Sequence, residues 1–179
     1  MEIIHLLWQG PLTIEEALKL SSTSDYGLYQ IYGTHSVTGP NTLLYVGQAN
    51  DRNFSRRLAD HEKVWLRWEP DPVRIYVGRI ADPLGSPLSD EGWADMITRA
   101  EAVTIYFVGP AYNNTYIRKL RYSESPILIV NHLQRCRLPG SITNLGEIHI
   151  PGGKGFKPVD SRRAPKPTAD IPDDPAGKR

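Results

Sequence analysis

The 179-residue chain holds a single cysteine, Cys136, which excludes a disulfide framework and a thiolate-rich structural zinc site. That scarcity suits a reducing compartment, so a cytoplasmic setting is expected. Long apolar runs are lacking too. The longest, around residues 102–109 and 126–130, fall far short of the ~18–20 residues that a bilayer-crossing helix needs, and no membrane association is expected. The start, MEIIHLLWQGPL, has neither the basic opening nor the unbroken apolar stretch of a secretion signal, so no targeting is expected. No internal repeat is visible. An excess of one charge is also missing: 21 Lys+Arg stand against 20 Asp+Glu, a net charge of +1. A uniformly basic nucleic-acid binder is thereby excluded, though a local basic patch is not.

What the chain does contain is 40% hydrophobic residues, enough to bury a core, in a length suited to one domain. Three parts are expected. Residues 1–25 form an N-terminal helical segment packed on the core, residues 26–150 the domain itself, and residues 151–179 a flexible tail. The tail, PGGKGFKPVDSRRAPKPTADIPDDPAGKR, is crowded with Pro, Gly and charged residues and has almost nothing apolar beyond Phe156, Val159 and Ile171.

Within residues 13–20, Thr13 with Glu16 three positions on is a helix-starting pair, which predicts a short helix. Residues 26–32 (YGLYQIY) and 42–48 (TLLYVGQ) are rich in β-branched and aromatic residues, with turn formers between them, and predict a β-hairpin with a long connection. From Asn53 to Trp68, Phe54, Leu58, His61, Trp65 and Trp68 recur at helical spacing, with Asp51 or Asn53 as cap. Residues 73–80 (VRIYVGRI) read as a third strand, and Ser89-Asp90-Glu91 opens a second long helix through Trp93, Ile97 and Ala100 towards Pro110. A further helix from Ser125-Pro126 and a last strand over residues 142–150 complete the reading. The fold class is α+β: a small central, mainly antiparallel sheet opened by a β-hairpin and flanked by helices.

Two polar residues lie where a core residue is expected. His61 falls on the apolar stripe of the first long helix, with Arg57 one turn before it. Glu101 is four residues from Ile97 and eight from Trp93, on or beside the buried face of the second. Burying such a carboxylate unpaired costs several kcal/mol on the order-of-magnitude scale for polar burial, so something must compensate it.

Gly27-Leu28-Tyr29 and Tyr45-Val46-Gly47 resemble the paired tripeptides that name the GIY-YIG nuclease superfamily, each with an apolar residue in place of Ile. Residues 54–61 (FSRRLADH) are similar to the first helix of that family, with Arg57 at the arginine position and His61 four residues on. Arg56 is a rival for the arginine, since the preceding loop is a residue longer than in some relatives. Glu101 resembles the metal-binding glutamate of the later helix, and Asn113 the asparagine beyond it. The Arg–x3–His and Glu–x11–Asn spacings are similar to those of the branch that includes type II restriction endonucleases. The resemblance covers about half the chain, from Tyr26 to about Asn114, and includes six polar positions.

The resemblance implies a metal-dependent endonuclease that hydrolyses DNA phosphodiester bonds. It implies Tyr29 as the base for the attacking water, aided by His61, by the field of the metal or by Tyr45 across the hairpin, with Arg57 clamping the phosphoryl group. Glu101 would bind one divalent cation, Mg²⁺ or Mn²⁺, whose other ligands are waters and phosphate oxygens. Asn113 would hold the end of the second helix against the sheet or orient a catalytic side chain. Charge along the chain agrees with such a partner. Residues 52–67 carry five basic and two acidic residues (+3), residues 118–137 five and one (+4), and residues 82–101 one and five (−4). Arg52, Arg56, Lys63, Arg118, Lys119 and Arg121 are the expected backbone contacts. Little chain remains for a separate DNA-reading domain, so loops or a second subunit in a homodimer would supply target selection. The alternative is a catalytically silent module of the same fold that binds nucleic acid or protein.

Overall fold

A computed structural model describes residues 1–81, 89–121 and 125–147 of the chain. Six strands form one sheet: β1 (Glu2–Leu12), β2 (Gly27–His35), β3 (Gly39–Ala49), β4 (Arg74–Ala81), β5 (Ile127–Leu133) and β6 (Ser141–Thr143), in the order β3-β2-β4-β1-β5-β6. All neighbours pair antiparallel except β1 with β5. Among the described residues three α-helices accompany the sheet: α1 (Ile14–Ala17), α2 (Phe54–Val64) and α3 (Asp90–Val108). The fold is therefore α+β, as expected. No helix among the described residues is long and apolar enough to cross a membrane.

The N-terminal residues correct the sequence reading. Of residues 1–25 only Ile14–Ala17 is helical and packed on the core; Glu2–Leu12 is an interior strand between β4 and β5, and the hairpin does not open the sheet. Ile4, Leu6 and Trp8 are buried while Ile3 and Leu7 are exposed, the period-two alternation of a strand. The alternation runs on through Gly10 and Pro11, and Pro11 lies at a bulge in the pairing with β4, between Gln9 and Leu12, a place where a strand tolerates proline. The helix after it is confined to Ile14–Ala17, with the Thr13 and Glu16 side chains and main-chain N–H groups bonded reciprocally.

The hairpin of β2 and β3 forms with strands longer than expected, so residues 36–38 alone connect them. α2 starts at the Asn53 cap but ends at Val64, and a separate 3-10 turn covers Leu66–Trp68. α3 has Ser89 as N-cap, with Gly109 in a left-handed conformation ending it. The expected helix from Ser125-Pro126 is instead β5, because Ile127, Ile129 and Asn131 turn inward on alternate residues. The last strand is limited to Ser141–Thr143, and the remainder of its expected range from residue 148 lies outside the described residues. So do the loop over Pro83, Gly85 and Pro87 and the tail from residue 151.

Each face of the sheet carries its own core. On one, Ile4, Leu6, Trp8, Leu28 and Ile129 pack against Ile97, Ala100 and Val103 of α3. On the other, Tyr29, Ile31, Ile75 and Val77 pack against Ala17, Phe54 and Leu58 from α1 and α2. Consecutive residues of β2 thus serve opposite layers, with Tyr29 facing α2.

Two glycines of the hairpin are required by close approach. A Cβ on Gly47 would stand 2.4 Å from the Tyr29 hydroxyl, its cross-strand neighbour. One on Gly27, whose φ is +141°, would meet the Gly78 carbonyl of β4 at 2.1 Å. Gly27→Ala is expected to lower unfolding free energy by about 1–3 kcal/mol, the range for forced backbone strain. Urea denaturation measures it, and a loss below about 0.5 kcal/mol would contradict the close approach.

Candidate functional site

Five of the six expected site residues gather where the hairpin meets α2 and α3. Tyr29 is fully buried on β2, and its hydroxyl lies 2.7 Å from Nε2 of His61 on α2. Tyr45, two residues before Gly47 on β3, has its ring 6.1 Å from that of Tyr29 and 4.8 Å from that of His61. Phe54, at the start of α2, closes the floor with its ring edge-on to Tyr29. His61 is on the apolar stripe of α2 because its imidazole fills the space between these rings. The sequence anomaly is thus a hydrogen-bonded contact with the hairpin.

Arg57, one turn earlier, donates from Nε to the Gln48 carbonyl at 3.1 Å. Arg56 is exposed and its main-chain N–H serves the Asn53 cap, so the arginine directed at the site is Arg57. Gln48 also presents its main-chain N–H to the Glu101 carboxylate of α3. One residue of β3 thereby joins a guanidinium from one layer and a carboxylate from the other. The side chain of Gln48 extends the link to α3: Thr98 Oγ1 lies 3.0 Å from Gln48 Oε1 and 3.1 Å from Asn50 Nδ2.

Asn113 stands slightly apart and has a different task. Its amide accepts from the Val46 N–H and donates to the Val46 carbonyl, both at 2.9 Å, as a neighbouring strand would. With Ala111 and Tyr112 donating to Leu43 and Leu44, it pins the chain beyond α3 to the edge of β3. Of the two roles the sequence left open for it, the geometry has the clamping one.

Burial dominates the electrostatics. It pushes the Tyr29 phenol up, with Tyr45 and Glu101 adding to the rise and Arg57 opposing it. Tyr45 is raised for the same reason. Glu101, 7% exposed, is pushed up to about 7 by desolvation, with the Arg57 charge and the Gln48 N–H pulling the other way. His61 is pushed down to about 4, first by burial and then by Arg57. At neutral pH the imidazole is uncharged and the carboxylate is poised near half-ionisation.

Two contributors escaped sequence reasoning. Gln48 acts largely through its main chain, which leaves no side-chain signature. Trp65 was visible only as a stripe residue, yet its indole N–H donates to His61 Nδ1 at 3.0 Å; its position four residues after His61 was the available signal. The expected DNA contacts are all exposed. Arg52, however, is held by Asp51 and Asp60, and Arg121 lies over the Tyr116 ring. Among the described residues no cluster of three or more His, Cys, Asp or Glu is found, so a cation here would be held by the single carboxylate of Glu101. A buried, under-neutralised carboxylate suits one hard cation completed by water and phosphate oxygens. Comparison of the chain with protein-family models, with curated proteins and with solved structures finds no match.

The two shifted groups oppose each other in their effect on stability. Glu101 binds its proton more tightly when folded, so it makes stability fall as pH rises from 4.5 to about 7. His61 binds its proton less tightly when folded, so it makes stability rise from about pH 4 to 6.5. In metal-free buffer, E101Q should leave the His61 slope alone, gaining stability relative to wild type by roughly 1.4 kcal/mol per pH unit across the shared window. H61Q should lose it at a similar rate. Chemical denaturation at several pH values measures both, and a difference from wild type that does not vary with pH would contradict the buried environment.

Proposed function

We propose that the chain is a metal-dependent endonuclease of the GIY-YIG type that hydrolyses DNA phosphodiester bonds. The observation that carries this reading is the meeting of Tyr29, His61, Arg57 and Glu101, from two layers and 72 positions of sequence, around one end of β3. Phosphodiester hydrolysis needs a base for water, a donor to the nonbridging oxygens and a cation for the developing charge. Those residue types answer the three requirements.

In this proposal Tyr29 first releases its phenolic proton to solvent; the phenolate then takes a proton from water while the water oxygen bonds to phosphorus and the bond to the leaving oxygen breaks, the departing oxyanion being protonated by solvent. Arg57, by its charge, and His61, by its hydrogen bond, stabilise that phenolate, which burial alone disfavours. Arg57 then serves the phosphoryl oxygens with the forked geometry of a guanidinium. Glu101 would hold Mg²⁺ or Mn²⁺, which when bound supplies positive charge to the nonbridging and leaving oxygens. Arg56, Lys63, Arg118 and Lys119 are exposed cations available to track a phosphate backbone.

One observation favours a second reading, a catalytically silent binding module: Tyr29 has no exposed surface. Water reaches its hydroxyl only when a neighbour moves, and Arg57, half-buried and drawn to phosphate, is the neighbour that substrate would displace.

Supercoiled plasmid incubated with the protein and Mg²⁺ or Mn²⁺ distinguishes the two. Nicking or linearisation is expected, with E101A and R57A reduced by about 10³-fold or more, the scale for losing one transition-state charge partner. Discrete fragments would mark a sequence-specific enzyme and a smear a nonspecific one. Intact DNA under every metal condition would favour the silent module, and cleavage surviving in E101A would remove Glu101 from the metal role.

A further inference from the structure

We propose that Trp65 is a positioning residue that sets the proton direction of the Tyr29–His61 pair. An indole N–H only donates, so the 3.0 Å contact from Trp65 Nε1 makes His61 Nδ1 an acceptor. Nδ1 then carries no hydrogen, and the imidazole proton sits on Nε2. The 2.7 Å contact to Tyr29 follows as Nε2–H donating to the phenolic oxygen. Two other states are incompatible with the indole donor: the Nδ1–H tautomer, which would accept from the tyrosine, and the imidazolium, which carries hydrogen on both nitrogens.

The indole is itself held. Its ring packs at 6.3 Å from Tyr45 and edge-on at 5.4 Å from Tyr112, and Trp65 ends α2 as its C-terminal cap with its N–H bonded to the His61 carbonyl. Main chain and side chain of Trp65 thus both bind His61. The groups that face the imidazole are Tyr29, Tyr45, Trp65, Arg57 and Asp60. Among the described residues no carboxylate is bonded to Nδ1, the place where one would promote the imidazolium.

The consequence bears on chemistry and rests on the function proposed above. His61 does not take the Tyr29 proton; it is a standing donor to the phenolic oxygen and favours the phenolate over the phenol. The two aligned donors, indole to imidazole to oxygen, polarise each other where the receiving Tyr29 is fully buried.

Trp65→Phe keeps an aromatic ring and deletes the donor. In the metal-free, DNA-free protein, ¹⁵N-detected NMR of the His61 ring is expected to show the Nε2–H tautomer in the wild type and a mixture with the Nδ1–H form in W65F. In the plasmid assay W65F is expected to lose about 10- to 100-fold in kcat, the scale for a misplaced catalytic group, with KM unchanged. A wild-type Nδ1–H tautomer, or an unaltered tautomer in W65F, would overturn the proposal. So would unchanged kcat in W65F beside an active wild type. Should W65F fail to fold, the wild-type spectrum alone decides. Because the spectra need no turnover, a wild type that cleaves no DNA would refute the nuclease reading while leaving the hydrogen-bond direction measurable.

Discussion

The outer edge of β3 is the constraint on which the rest of the site depends. An edge strand leaves a row of main-chain donors and acceptors that must find partners or face water. Here Leu43 and Leu44 are met by the main chain of Ala111 and Tyr112, Val46 by the Asn113 amide, and Gln48 by Arg57 and Glu101. Satisfying one strand edge therefore recruits three of the six matched residues. It also ties α2 and α3, which pack on opposite faces of the sheet, to the same end of the same strand.

Around that edge the protein maintains an expensive electrostatic state. A phenol, an imidazole and a carboxylate share a poorly hydrated space, and burial pushes each toward its neutral form. Arg57 is the countervailing charge for Tyr29 and Glu101 while disfavouring a second positive charge on His61. The same guanidinium thus selects which neighbours ionise. Such an arrangement costs folding stability and is retained where a ligand or reaction makes use of it.

Much of this was legible from local chemistry. Ser89, and Asn53 of the pair Asp51 and Asn53, start their helices as caps, and the β-branched and aromatic content of residues 26–32 and 42–48, with turn formers between, marked the hairpin. His61 and Glu101 stood out because each broke an apolar stripe. Two segments misled for an identifiable reason. The first twelve residues contain Gly10-Pro11, which suggests a break, and the bulge that accommodates it exists only because β4 lies alongside. Residues 127–133 follow a Ser-Pro pair that imitates a helix start, while their partner strands β1 and β6 are distant in sequence or very short. Strand identity depends on partners; helix capping does not.

By itself the sequence determined which residue types are present, their periodicity and their order, because those express local backbone and side-chain preferences. Tertiary structure decided that Glu2–Leu12 occupies the sheet interior, that Arg57 rather than Arg56 turns inward, and that Gln48 and Trp65 complete the site. Those outcomes rest on hydrogen bonds to main-chain groups and on burial, which come into being only when strand edge, helix and hairpin are brought together.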